Sequence, residues 1–242
     1  LRYFAVRLKE LKVTVKLNTT LTTQQLNALQ VDELVLATGI SPRDLELPGH
    51  DHAKVINYLD VIKGAKVGQK VAIIGAGGIG FDVAEFLTHG ERQPSKNIEQ
   101  FMSQWGIDMT MQARGGVAQM TPNLEASPRE VHLLQRKTTK VGAGLGKTTG
   151  WIHRAGLQQK QVKMIAGCEY QAIDDKGLHL TIGGEVKVLE VDNIIVCAGQ
   201  DPDRRLVEGL EREYHLIGGA DKATQLDAKR AIRQGTLLAI KF

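Results

Sequence analysis

Residues 70–87, KVAIIGAGGIGFDVAEFL, narrow the choice of fold more than any other stretch. Lys70–Ile74 is mostly apolar and β-favouring, as a strand buried on both faces of a parallel sheet is. Gly75, Gly77 and Gly80 follow in the spacing G-x-G-x-x-G, and Ile79, Val83, Phe86 and Leu87 then recur at the period of a helix. The glycines therefore stand where a strand gives way to a helix, which is the setting a dinucleotide-binding turn requires. Each has a mechanical task. Gly75 permits the tight turn, Gly77 leaves bare backbone for a pyrophosphate to approach, and Gly80 lets the helix pack close to the strand. The helix N-terminus adds unpaired N–H groups and partial positive charge. The plainer reading is a glycine-rich turn shaped by packing alone.

The 242 residues suffice for one large or two small domains. The net charge of +4 includes no block of five or more basic residues, and aromatics make up only 5%, so neither nucleic acid nor a membrane is indicated as a partner. Cys168 and Cys197 lie far apart, form no C-x-x-C, and sit in apolar, strand-like runs. They read as buried free thiols, not ligands of zinc or an iron–sulfur cluster, and fit a reducing cytoplasm. No run reaches the roughly eighteen apolar residues of a membrane span. The opening LRYFAVRLKE reads as the middle of a helix, which suggests a piece of a longer protein.

Taken in order, residues 1–11 have helical spacing and residues 13–17 alternate like a strand. Residues 21–29 read as a short irregular or helical link. Residues 31–39 read as a strand ending in Ala37-Thr38-Gly39, small residues that leave room for a ligand at a sheet's carboxyl edge or simply make a turn. His50 and Asp51 belong to an exposed turn, and residues 57–64 form a short helix or linker. Residues 88–129 are polar and irregular, a long insertion that covers one face or serves a partner, with Phe101 and Trp105 as packing anchors. Asp108 is a candidate mimic of a ribose-binding carboxylate, but no convincing strand precedes it.

Glu130–Leu134 is the better second strand, and it runs into Gln135-Arg136-Lys137. A carboxylate there would accept from a free ribose 2′-hydroxyl and repel a 2′-phosphate; Arg136 and Lys137 do the reverse, favouring NADPH over NADH unless the turn is merely solvated. Residues 142–148, GAGLGKT, look like a triphosphate-binding loop, but Val141 stands where its first glycine belongs, so a nucleoside triphosphatase is excluded and Lys147 is left as a candidate phosphate contact. Residues 149–159 form a helix in which His153 is a surface or capping residue. Residues 162–165 are a third strand, and 169–173, 178–182 and 186–189 form an antiparallel meander joined at Asp175-Lys176-Gly177 and Gly183-Gly184. Residues 193–199 return to a buried parallel strand. Strand 215–219, Asp221 and a helix over 226–240 make either another cofactor contact or a capped helix. The fold class is α/β, a doubly wound Rossmann-like domain carrying an antiparallel meander.

VLATGISPR, GAGGIG, and IIVCAGQDP with LIGGAD, in this order, resemble flavoproteins in which an NAD(P)H-binding domain is inserted into an FAD-binding domain. LLQRK, GLGKTTGWIHR, KMIAGCEYQAIDDKGL and HLIGGADKATQLDAKRAI are more specifically similar to the carboxyl-terminal part of the bacterial NADPH-dependent 2,4-dienoyl-CoA reductases. The resemblance implies a partial FAD-binding domain over 1–66, an NADPH-binding domain over 67–198, and a return to the FAD domain over 199–242. It implies that Gly75, Gly77, Gly78 and Gly80 hold the NADPH pyrophosphate and that Arg136 and Lys137 hold its 2′-phosphate. Thr38, Gly39, Gly219 and Asp221 would lie along FAD, although related flavoproteins carry the acid directly after the glycine and here Ala220 intervenes. In that family NADPH reduces FAD, and electrons pass through an iron–sulfur cluster to FMN in an amino-terminal barrel, where an unsaturated fatty acyl-CoA is reduced. The chain has one full G-x-G-x-x-G and no cluster cysteines, so the barrel, the cluster and the FMN are expected in a missing amino-terminal region of the same protein. No catalytic side chain and no metal are expected here, because the cofactors carry the chemistry. Other readings are a nucleotide-binding module without redox activity and a related amine dehydrogenase module.

Overall fold

The computed structural model describes residues 1–90, 94–224 and 226–242. In chain order the elements are α1 (Arg2–Glu10), α2 (Thr23–Ala28), β1 (Val35–Leu36), β2 (Ile40–Pro42), β3 (Val55–Asn57), α3 (Tyr58–Ile62), β4 (Lys70–Ile74), α4 (Gly78–Thr88), α5 (Ile98–Gln104), β5 (Glu130–Leu134), α6 (Gly150–Gln159), β6 (Lys163–Ile165), β7 (Cys168–Asp174), β8 (Gly177–Ile182), β9 (Glu185–Leu189), β10 (Asn193–Val196), β11 (Gln200–Pro202), β12 (His215–Leu216) and α7 (Ala228–Ala239). They fall into two compact units, Pro42–Gln200, and Leu1–Ser41 with Asp201–Phe242.

The unit Pro42–Gln200 is built on a five-stranded sheet in the order β3-β10-β4-β5-β6, with every pairing parallel. The strands are buried on both faces, so they read as continuous apolar runs. Alternate residues turn to opposite sides. Val71, Ile73, Val131, Leu133 and Ile195 meet Phe81, Val83, Ala84 and Leu87 of α4, Tyr58 and Val61 of α3, and Leu157 of α6. Ala72, Ile74, Leu134 and Ile194 meet Ile173, Leu178 and Leu180 of the antiparallel sheet β7-β8-β9. The turn from β7 to β8 needs a glycine, since Gly177 has φ +134 and an added Cβ would overlap the Leu189 carbonyl.

At the amino end of the sheet, Asp192 Oδ2 accepts the backbone N–H groups of Gln69 and Lys70, each at 2.8 Å. These bonds hold the Asp192 carboxyl below its usual range. The Glu130 carboxylate pairs with Lys163 at the same end. Residues 42–66, grouped by sequence with the flavin-binding part, pack in this unit because β3 pairs with β10, Val55 against Ile194.

Within residues 88–129, Glu91, Arg92 and Gln93 lie outside the described residues. The described part holds α5 and two single 3₁₀ turns. The Phe101 and Trp105 rings pack at 6.4 Å between centroids. Asp108 organises a turn of its own. Its carboxylate accepts from the Thr110 hydroxyl and from the backbone N–H groups of Thr110, Gln112 and Ala113 at 2.6–2.8 Å. Those acceptor sites are committed to the loop, so Asp108 is no stand-in for a ribose-binding acid.

The other unit has a small core in which Leu26, Leu34 and Leu36 meet Leu206, Val207, Leu210, Tyr214 and Leu216. β1 and β12 pair in parallel, Val35 against His215. Arg212 donates to the carbonyls of Leu29 and Val31 at 2.7 Å each, tying the approach to β1. Residues 13–17 form no strand: their alternation has no described neighbour to pair with, and Val13, Val15 and Leu17 are exposed. The expected strand over 31–39 shrinks to Val35–Leu36 for the same reason. α7 begins at Ala228, capped by Asp227, whose side chain accepts from Arg230 N–H. Its expected apolar side is uneven, with Ile232 and Leu237 exposed.

Two outcomes test this arrangement. In urea unfolding, Ile73→Ala should cost about 2–5 kcal/mol, because Ile73 is fully buried between layers. Val186→Ala, at a strand side chain that is 77% exposed, should stay within about 0.5 kcal/mol. The Asp108 carboxyl is pulled down to about 2, first by the Thr110 hydroxyl and then by the loop amides. The 108–113 turn therefore keeps its contacts above the ordinary value of 3.8 and loses them as pH falls toward about 2. An NMR titration of the Thr110, Gln112 and Ala113 amides should show that low midpoint; one near 3.8 would refute it.

Candidate functional site

The carboxyl end of β4 is where the sheet opens. β4 stops at Ile74, Gly75 turns with φ +109, and α4 starts at Gly78 behind the cap residue Gly77. The four glycines fall into two kinds. An added Cβ on Gly80 would overlap the Gly75 carbonyl oxygen, and one on Gly75 would overlap the Cys197 carbonyl beyond β10. Gly77 and Gly78 have nothing within 4 Å of an added Cβ and are exposed. No side chain caps the helix. Its first-turn amides are thus available to a ligand, and the bare backbone at Gly77 and Gly78 leaves the approach clear. These residues fit a pyrophosphate.

The neighbouring strand carries the basic pair. β4 and β5 run in register, Ile74 beside Leu134. The Gly75 N–H donates to the Leu134 carbonyl at 2.9 Å, which joins the glycine turn to the end of β5. The turn after β5 is braced from inside: Gln135 Nε2 donates to the carbonyls of Lys137 at 2.9 Å and Thr139 at 2.5 Å. The Gly167 N–H donates to the Lys137 carbonyl at 3.0 Å. Arg136 and Lys137 are exposed on this fixed turn. The two side chains part company, however. Arg136 lines a cavity of about 670 Å³ together with Ile74, Tyr170 and Ala198, and Lys137 does not. Tyr170 enters from β7, and no motif in the sequence marks it.

The loop over 142–148 lies by the first turn of α4, since an added Cβ on Gly142 would come 2.7 Å from the Phe81 ring. Arg154 Nη1 donates to the Gly142 carbonyl at 3.0 Å and holds the loop down. Lys147 is exposed on it. His153 pairs through Nδ1 with Glu85 Oε1 at 2.8 Å, linking α6 to α4. Phe86, expected in the apolar stripe of α4, is 52% exposed. Val83 and Leu87 of that stripe are buried, and Phe81 and Ala84 complete the buried face.

Cys168 and Cys197 are buried and free. Burial pushes both thiols up, Cys197 to about 12, so neither is poised as a thiolate. Among the described residues no group of His, Cys, Asp and Glu is arranged to hold a metal ion. No helix of the described residues is long and apolar enough to cross a membrane.

In the unit formed by Leu1–Ser41 and Asp201–Phe242, Thr38, Gly39 and Gly219 come together. An added Cβ on Gly219 would lie 2.9 Å from the Gly39 carbonyl carbon. Gly39 has φ +81 and open space above it. The Thr38 hydroxyl donates to the Asp203 carbonyl at 2.5 Å. Ala37, Gly218, Gly219, Asp227 and Ala231 line a cavity of about 420 Å³, within the range of ligand pockets. This cradle of small residues fits part of a dinucleotide. Of the four residues expected along FAD only Gly219 is in this lining; Thr38, Gly39 and Asp221 stand outside it, and the Asp221 Oδ2 accepts from Gln234 Nε2 at 2.7 Å while its carbonyl accepts from Arg204.

A family model described as pyridine nucleotide-disulphide oxidoreductase matches residues 3–226. The metal reductase of Desulforamulus reducens is 25% identical over 248 residues, covering 99% of this chain and 36% of that protein. The cinnamate reductase of Clostridium sporogenes is 40% identical over 223 residues, covering 90% of this chain and 28% of that protein. The chain thus spans about a third of the length of these curated relatives. Among solved structures, a 2-naphthoyl-CoA reductase in complex with 2-naphthoyl-CoA superposes with a TM-score of 0.75 at 24% identity, covering 100% of this chain and 31% of its own. The 6-hydroxypseudooxynicotine amine oxidase of Pseudomonas geniculata N1 superposes with a TM-score of 0.69 at 14% identity, covering 95% of this chain and 32% of its own. At such identities the likeness shows a shared fold. With the α/β fold, the glycine turn at the carboxyl edge of its parallel sheet and a family match over nearly all its length, the chain belongs to the pyridine nucleotide-disulphide oxidoreductases.

Proposed function

We propose that this chain is the pyridine-nucleotide part, with a portion of the flavin part, of an NADPH-dependent reductase. NADPH binds with its pyrophosphate over Gly75, Gly77, Gly78 and Gly80 and its 2′-phosphate on Arg136 and Lys137. The observation that carries this reading is the glycine turn, open at Gly77 and Gly78, tied at 2.9 Å to the end of the strand that presents Arg136 and Lys137. FAD is the hydride acceptor, with Thr38, Gly39, Gly219 and Asp221 along it. The Asp221 carboxylate, held by Gln234 in this structure, would have to exchange that bond to accept from FAD. When bound, the two cofactors supply the hydride donor and acceptor, and the protein positions them.

The reduced substrate is an unsaturated acyl-CoA, as in the 2,4-dienoyl-CoA reductases, handled at an FMN- and iron–sulfur-containing site in an amino-terminal barrel outside this chain. Two likenesses support that class: a relative named for cinnamate, an unsaturated carboxylic acid, and a fold neighbour in complex with an aromatic acyl-CoA. A reducing cytoplasm is the compartment we propose, a reading that the two buried free thiols support.

Calorimetric titration tests the nucleotide assignment. Arg136→Ala/Lys137→Ala should weaken NADPH by about 2–4 kcal/mol and leave NADH nearly unchanged. Equal affinity of wild type and variant for NADPH would remove the 2′-phosphate assignment. A yellow preparation with flavin absorbance supports hydride delivery to FAD; a colourless protein that still binds NADPH supports a binding module without redox activity.

The glycines separate a packing role from a binding role. Gly80→Ala should destabilise the ligand-free protein by about 1–3 kcal/mol through overlap with the Gly75 carbonyl. Gly77→Ala should leave stability within about 0.5 kcal/mol while lowering affinity for both nucleotides. Undiminished nucleotide binding by Gly77→Ala would argue for a turn shaped by packing alone.

A further inference from the structure

Tyr170 carries a hydroxyl that packing does not explain. The oxygen is buried and has no hydrogen-bond partner among the described residues. A hydroxyl kept from water without a partner is costly, and phenylalanine would fill the same volume without it. The ring packs against the core between the main sheet and the meander.

Tyr170 shares the cavity of about 670 Å³ with Arg136, at the carboxyl ends of β4 and β5. The Arg136 guanidinium is close enough for its charge to act on the phenol. Burial holds that phenol in its protonated form, which makes it a donor. Leu45, Leu47 and Cys168 supply an apolar wall. The Arg43 guanidinium and the carboxylates of Asp44, Glu46 and Glu169 also border the cavity; all four residues are exposed, as Arg136 is, so solvent and salt screen these charges alike. The end of β5 is also where a dinucleotide fold receives the ribose that distinguishes NADPH from NADH.

We infer that the Tyr170 hydroxyl donates a hydrogen bond to the 2′-phosphate of NADPH beside Arg136, and that Tyr170 is a specificity-determining residue of this site. The inference rests on the NADPH reading above. Arg136 and Tyr170 contact the phosphate from within the cavity, while Lys137, which lies outside its lining, acts as a point charge. The orphaned hydroxyl of the ligand-free chain finds its acceptor only when a 2′-phosphate arrives.

Calorimetry on wild type and Tyr170→Phe tests this with NADPH and NADH, and with 2′,5′-ADP and 5′-AMP as probes lacking the nicotinamide half. Loss of one charge-assisted hydrogen bond should weaken NADPH and 2′,5′-ADP about tenfold and leave NADH and 5′-AMP unchanged. Thermal unfolding of ligand-free Tyr170→Phe should be no lower than that of wild type. Wild-type affinity for NADPH in Tyr170→Phe, or equal weakening of NADPH and NADH, overturns the inference while the NADPH reading stands. Wild-type protein that binds neither NADPH nor 2′,5′-ADP overturns both.

Discussion

The contact on which the Pro42–Gln200 unit depends is that of Gly80 in α4 with the carbonyl of Gly75 at the end of β4. No side-chain atom fits between them. The helix therefore starts directly on the strand end, and its following residues are carried onto the sheet, with Phe81, Val83, Ala84 and Leu87 buried. Gly75 in turn lies against the carbonyl of Cys197 at the end of β10. One close-packed point thus gathers two strand ends and a helix start, and the first turn of that helix, which no side chain caps, lies beside it with Gly77 and Gly78 exposed. Core packing and the open approach at Gly77 and Gly78 come from the same stretch of chain.

The two ends of the parallel sheet are treated differently. At the amino end, polar groups are satisfied locally: Asp192 takes the Gln69 and Lys70 amides, and Glu130 pairs with Lys163. At the carboxyl end, Gly77, Gly78, Arg136 and Lys137 are exposed. Parallel strands present their carboxyl ends together, so turns from separate strands converge there without one closing off another. The meander contributes by covering the second face, which keeps Ile74 and Leu134 buried up to the edge of the opening.

The legible parts of the fold were those set by neighbours in sequence. The strand, glycine turn and helix of residues 70–87 combine propensity, period and sterics within one short stretch. The hairpins at 175–177 and 183–184 are likewise fixed by local backbone conformation, with Gly177, Gly183 and Gly184 all at positive φ. The errors came where a partner decides. Residues 13–17 alternate as a strand does, but a strand exists only with a neighbour to pair with. Phe86 has the period of the buried face and lies exposed, because the width of that face is set by what packs on it. Asp108 shows the same limit: nothing in its spacing reveals that its carboxylate closes a loop.

By itself, the sequence determined the class of the fold, the position of its glycine turn and the chemistry of the strand end beside it, since these follow from backbone sterics and side-chain charge over a few consecutive residues. Only the tertiary structure decided that Gly77 and Gly78 are open while Gly75 and Gly80 are packed, that residues 42–66 belong to the Pro42–Gln200 unit, that Asp221 is held by Gln234, and that Arg136 borders one cavity with Tyr170 while Lys137 does not. Each of those depends on which atoms the folded chain brings together, from Gly75 and Gly80 five residues apart to Val55 and Ile194 across the sheet. A one-dimensional pattern carries no record of such distances.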